Sequence, residues 1–251
     1  MTVRRRLWLL CAAAIALAPG VWVFVTRMPT FGTGQARYGM AVAVLGPSLR
    51  QADNLVSAVN FDFRSFDTLG EEFMLLGAVV GAVMLLRGIR GEQAAPGPLA
   101  MPMRERADSS RLVARVATPL LFVYGCSLVA HATVTPGGGF QGGAVIASAM
   151  LLVYLGEGYA VWRKAVVSHW LAALEGAGAF GFACAGLFSL AFGRAFMANM
   201  MPLGERGKLF SGGVMLVENL GVALAVSAGI LMLFLEFLEE TRTIPGSGRR
   251  K

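Results

Sequence analysis

Charge is the first thing this sequence lacks. Asp, Glu, Lys and Arg make up 15% of its 251 residues and hydrophobic residues 56%, whereas a soluble domain carries roughly 25% charge and about 45–50% apolar residues. A charged shell around a buried soluble core is therefore excluded. Cysteine is nearly absent too. Cys11, Cys126 and Cys184 each stand alone within an apolar block, with no CxxC and no Cys/His cluster, so neither a disulfide framework nor a metal site follows. The sequence has no GxxxxGK[ST] loop, no HExxH pair and no nucleophile elbow. No catalytic residue is assigned, and neither an enzyme nor a cofactor is expected. No lysine falls in any long apolar run, so a pump built on buried Lys/Glu pairs has no lysine to use.

What is present is apolar sequence in blocks long enough to cross a hydrocarbon core of roughly 30 Å. Six such blocks are read as transmembrane helices: Leu7 to Val25, Leu69 to Leu86, Leu112 to Val134, Gly142 to Val161, His169 to Phe192, and Ser211 to Leu235. The predicted fold is all-α, a polytopic protein in a lipid bilayer. Arg4-Arg5-Arg6 would suit a signal peptide, but Trp22 to Val25 carry the first block past the usual length. It is read as a retained helix, kinked at Pro19-Gly20. Residues 26–68 read as mostly irregular, with Asn54 to Phe61 a short helix or extended stretch in the interface. Thr68 is read as an N-cap with Glu71 at the capping-box spacing.

The net charge of +7 gathers beside block ends, which is a topology signal and not a nucleic-acid one. By this map fifteen of the 22 Lys and Arg lie on one side and seven on the other, so both termini are expected in the cytoplasm. The expected organisation is a two-helix module with an outer-side loop over 1–92, a Pro- and Arg-rich cytoplasmic linker over 93–111, a four-helix domain over 112–238 and a basic tail over 239–251. Residues from Glu236 onward are expected to be disordered.

Ionisable groups inside a span are expensive and default to function. Glu218, placed about two turns into the sixth span, and Glu175, about two turns into the fifth, read either as proton- or cation-binding carboxylates or as structural ones bonded across helices. Glu157 can reach the interface. Capping and the helix dipole explain at least one of Glu71 and Glu72. His131, at an outer edge, is a proton relay or a partner for loop carbonyls. Between the third and fourth spans lies Pro136-Gly137-Gly138-Gly139-Phe140-Gln141-Gly142-Gly143, read as a break between two hydrophobic segments.

That stretch, with His131 to Thr135 ahead of it, resembles the signature of the MnhB/MrpB family, small membrane subunits of Mrp-type multisubunit Na⁺/H⁺ antiporters, over about residues 112–238. Residues 28–90, with Asn54 to Val59 and Asp62-Phe63-Arg64-Ser65-Phe66-Asp67-Thr68-Leu69-Gly70-Glu71, are similar to the MbhE-type module, with Ser65 where a glycine is expected. The resemblance implies a non-enzymatic subunit of the bacterial cytoplasmic membrane, assembled with other Mrp-type subunits and serving Na⁺ and H⁺. It maps the module's pathway carboxylates onto Asp62, Asp67 and Glu71. The glycine-rich motif becomes an inter-helix or inter-subunit packing element, not a phosphate loop. A purely structural subunit, or the equivalent subunit of a hydrogenase-like redox complex, are the alternatives.

Overall fold

The computed structural model describes residues 3–28, 37–90 and 107–243. Most of the expected linker, the loop 29–36 and the last eight residues lie outside the described residues. Residues 1–41 and 42–251 form two units.

In the first unit, α1 (Val3–Arg27) runs continuously through Pro19. Its described side chains are exposed. The second unit holds five helices long and apolar enough to cross a membrane: α4 (Ser65–Arg90), α5 (Asp108–Ala130), α6 (Gly139–Glu157), α8 (Ser168–Ala191) and α9 (Met215–Thr243). Each of the six expected spans coincides with a helix, although the apolar part of the first, Ala14–Arg27, is shorter than the other five.

The region 26–68 departs from expectation. It contains α2 (Arg37–Arg50) and α3 (Leu55–Ala58), the latter running into a π-helical turn at Val59–Phe63. Arg37 and Arg50 interrupt the apolar pattern in sequence, yet they stand at the first and last positions of α2, so they never enter its interior. Asn54 caps α3 by accepting the Ser57 N–H at 3.2 Å. The expected capping box at Thr68 is not formed. α4 begins at Ser65, and the Thr68 hydroxyl donates instead to the Asn60 carbonyl at 2.7 Å.

α9 is the centre of the bundle. Over half of its apolar stretch (56%) is buried, against 17–33% for the other four. It packs on α8, α6, α4 and α5. Without a hydrophobic force between helices in lipid, small residues that let backbones approach drive such packing. On α6, a Cβ at Gly143 would stand 2.8 Å from the Ala223 carbonyl oxygen; on α8, one at Gly178 would stand 2.8 Å from the Ala225 nitrogen. A short α7 (Tyr159–Ala165) follows α6 after Gly158, whose φ of 93° stops the helix.

Several boundaries correct the sequence reading. The third span ends at Ala130 and not Val134, the fourth stops at Glu157 short of Val161, and the sixth is helical from Met215 and not Ser211. Two more corrections bear on the site. The fourth span begins at Gly139, so Gly139, Phe140, Gly142 and Gly143 open a helix, and only Pro136, Gly137 and Gly138 form the break. The last helix continues to Thr243, so residues 236–243 are helical, not disordered. Glu236 is 1% exposed and accepts from Arg87 Nε and Nη2 at 2.9 and 2.6 Å. Arg163 lies 3.5 Å from Glu239. These pairs neutralise the carboxylates that made the segment look like a tail.

Candidate functional site

The glycine-rich motif is built into a seam. Gly137 and Gly138 have φ of 143° and 149°, backbone that side-chain-bearing residues rarely adopt. The resulting turn presents carbonyls to Asn54, whose Nδ2 donates to Ala132, Thr135 and Gly137 at 2.8, 2.9 and 3.1 Å. One residue on, the Gly139 N–H is an orphan donor at the start of α6. Asn219 on α9 caps it, accepting at 2.7 Å, while its Nδ2 donates to Ser57 Oγ at 3.0 Å and to the Met215 carbonyl at 2.8 Å. Segment 54–57 and α9 thus grip the motif from both sides within one chain.

Beside the seam lies a cavity of about 360 Å³. Asn60, Thr68, Glu71, Glu72, Phe140 and Gln141 are among the residues that line it. Glu71 is exposed. Glu72 is 3% exposed, and its Oε2 has no hydrogen-bond partner. A second cavity of about 300 Å³ lies farther along α4, lined by Arg87, Ser168, His169 and Glu175. Glu175 is 2% exposed and its Oε1 is likewise unpartnered. Glu72 and Glu175 lie within each other's electrostatic reach. A Cβ at Gly229 would stand 3.1 Å from Glu175 Oε1, so that glycine makes room for the carboxylate.

The remaining candidates fall elsewhere. Asp62, in the π-helical turn, accepts from Arg50 Nε at 2.5 Å and from Asn199 Nδ2 at 2.8 Å. Asn199 in turn accepts the Val214 N–H at 3.0 Å. Asp62 is thereby committed to holding α2 and the 193–214 loop together. Glu218 lies in the first turn of α9 and not two turns in, because that helix begins at Met215. It is 1% exposed with neither oxygen hydrogen-bonded, and Asp62 is the charge that reaches it. Asp67 is exposed and ion-paired with Arg64 one helical turn earlier in sequence. His131 is the exposed residue capping the end of α5; its Nδ1 donates to the Ser127 carbonyl at 2.9 Å, within that helix and not in the loop. Glu157 pairs with Arg115 at 2.5 Å.

Sequence reasoning named Glu72 only as one of two acids opening the second span; burial distinguishes it from its exposed neighbour Glu71. It missed Glu236 and His169. Adjacent residues on a helix face about 100° apart, and the flanking Leu69, Leu75 and Val79 phase predicts which glutamate turns inward. That signal was available.

Among the described residues, no group of three or more His, Cys, Asp or Glu side chains could hold a metal ion. The arrangement offers single buried carboxylates spaced along the bundle.

Residues 109–232 match the family described as a domain related to the MnhB subunit of Na⁺/H⁺ antiporter. An uncharacterized protein of Methanocaldococcus jannaschii is 28% identical over 196 residues, which is 70% of this chain and 74% of that protein. Two solved structures are similar. One is a chain of the membrane-bound sulfane sulfur reductase, an archaeal respiratory membrane complex, at 26% identity and a TM-score of 0.67, covering 92% of this chain and 98% of that one. The other is a chain of the Mrp complex from Dietzia sp. DQ12-45-1b, at 22% identity and a TM-score of 0.68; it covers 98% of this chain but 27% of that longer one, and shows the shared fold.

Proposed function

This chain carries, over residues 109–232, a domain of the MnhB-related family of Na⁺/H⁺ antiporter subunits, and from that premise we propose that it is a non-enzymatic subunit of a multisubunit cation/proton antiporter. In this reading it sits in a bacterial cytoplasmic membrane with other Mrp-type subunits. Residues 1–92 act as an MbhE-like module fused ahead of a four-helix domain over 112–238. The chain helps hold the assembly and lines part of the ion route.

The observation that carries the route is the pair Glu72 and Glu175. Each is buried in a membrane-spanning helix, and each has an oxygen without a hydrogen bond. A structural carboxylate would be satisfied across helices, since an unpaired buried charge costs several kcal/mol. A proton or a monovalent cation supplies what the protein withholds. Asp62 and Asp67, already engaged with Arg50 and Arg64, are assigned to structure. Glu71 belongs to the outer cavity wall, where an exposed carboxylate draws cations.

The test is Na⁺-driven proton movement in vesicles carrying the assembled complex. Glu72→Gln and Glu175→Gln should each abolish most of it while partner chains still co-purify. Unchanged exchange in both variants, at normal complex levels, would remove the route assignment and leave a purely structural subunit.

A second reading is favoured by the fit to nearly the whole of a chain from an archaeal respiratory complex. There the same subunit would serve a redox-driven ion pump. Co-purification with iron–sulfur subunits would select it.

A further inference from the structure

The second cavity is separate from the seam and opens at the opposite end of α4, where the Arg-rich side of the membrane is expected. Two of its residues point to a ligand. Glu175 is buried with Oε1 unpartnered. His169 is exposed, the second residue of α8, and lies six residues before Glu175, about 9 Å along the helix axis. The lining is otherwise largely apolar, with Val79, Val83 and Met232, and Ser168 beside His169 adds one hydroxyl. The guanidinium of Arg87 at this mouth is met by Glu236 through hydrogen bonds of 2.9 and 2.6 Å, so its charge is already answered by a carboxylate other than Glu175.

We infer that this cavity is a proton inlet, with His169 collecting protons at its mouth and Glu175 receiving them inside. Its purpose rests on the antiporter reading above; its geometry does not. The neutral imidazole takes up a proton from bulk water at the mouth. The imidazolium releases that proton to water in the cavity, which at about 300 Å³ has room for several molecules. Glu175 accepts it at Oε1, and the imidazole returns to its neutral form. The charged groups facing the receiving carboxylate are Glu72 from α4, Arg87 at the mouth with its partner Glu236 from α9, and His169 from α8 itself.

The experiment follows proton arrival without requiring Na⁺. Sealed vesicles carrying the full complex receive a pH jump on the Arg-rich side, and the carboxylic-acid infrared band assigned by its loss in Glu175→Gln is recorded. The band should grow after a jump on that side. His169→Ala should slow it about a hundredfold or more, within the range of proton-transfer catalysis, and added imidazole should restore the rate. Response to the opposite side alone, an unchanged rate in His169→Ala, or a loss that imidazole does not restore, each overturns the inlet. Should His169→Ala fail to assemble, Ala172→Cys in a chain with Cys11, Cys126 and Cys184 replaced by serine decides. Labelling by a membrane-impermeant maleimide from the Arg-rich side supports the inlet, and protection from that side overturns it. Absence of Na⁺-driven proton movement in the wild-type complex would fell the antiporter reading alone.

Discussion

Replacing Asn219 by alanine should loosen the seam that the glycine-rich motif forms, and the amount can be worked from its bonds. The side chain is 0% exposed. Its loss leaves the Gly139 N–H at the start of α6 without a cap, in a place closed to water, and takes from Ser57 Oγ the N–H that it accepts. The Met215 carbonyl keeps its place in the α9 ladder and loses little. A buried donor left unmade costs about 1–3 kcal/mol, and a neutral hydrogen bond is worth about 0.5–1.5 kcal/mol. Within a bilayer, polar pairs average nearer about 0.6 kcal/mol, because the unfolded chain in lipid finds other partners. The expected loss is therefore about 2 kcal/mol, roughly a 30-fold shift in the unfolding equilibrium. SDS-driven unfolding of the purified chain in mixed micelles reads it. Ser57→Ala alone should cost about 0.5–1 kcal/mol, and the double variant should cost less than the sum, since both remove the same bond. A loss under about 0.5 kcal/mol for Asn219→Ala, or strict additivity in the cycle, would refute the clamp.

Arg87→Ala should destabilise the chain more than Arg64→Ala. The first strips a partner from the buried Glu236, while the second breaks an exposed pair worth about 0–1 kcal/mol; thermal inactivation of the complex ranks the two. Gly178→Leu should prevent normal packing of α8 on α9, because even a Cβ there meets the Ala225 nitrogen; loss of the full-length chain from the assembled complex measures it. His131→Ala should leave exchange within about twofold of wild type, since the ring is exposed at the end of α5 and bonds only locally to Ser127; a tenfold loss would restore it as a relay.

The apolar blocks made the helices legible because length and hydropathy alone select them in lipid. The boundaries were less legible, and each error has a physical cause. Glycines at 139, 142 and 143 suggested a loop, yet in a membrane helix glycine marks close backbone approach, here to α9 and α5. Glu236 suggested solvent because its partner Arg87 lies 149 residues away in sequence. Of the candidate acids, Glu175 and Glu218 were legible as charges inside apolar runs. Glu72 was obscured by Glu71 and by a capping box that the earlier start of α4 removes. The cavities were not legible at all, since they arise where α4 meets residues of the later helices.

The family-marking motif and the proposed ion route are parts of one construction. The positive φ values of Gly137 and Gly138 aim the turn's carbonyls at Asn54, and the capped Gly139 fixes where α6 begins. The start of α6 places Phe140 and Gln141, the first side chains after that cap, in the lining of the cavity that Glu71 and Glu72 also line. Register in a helix propagates rigidly at about 1.5 Å and 100° per residue. A change that shifts the cap by one position would therefore rotate Gln141 off the wall while leaving every carboxylate in place. The motif's glycines thereby help set the shape of the cavity that Glu72 lines.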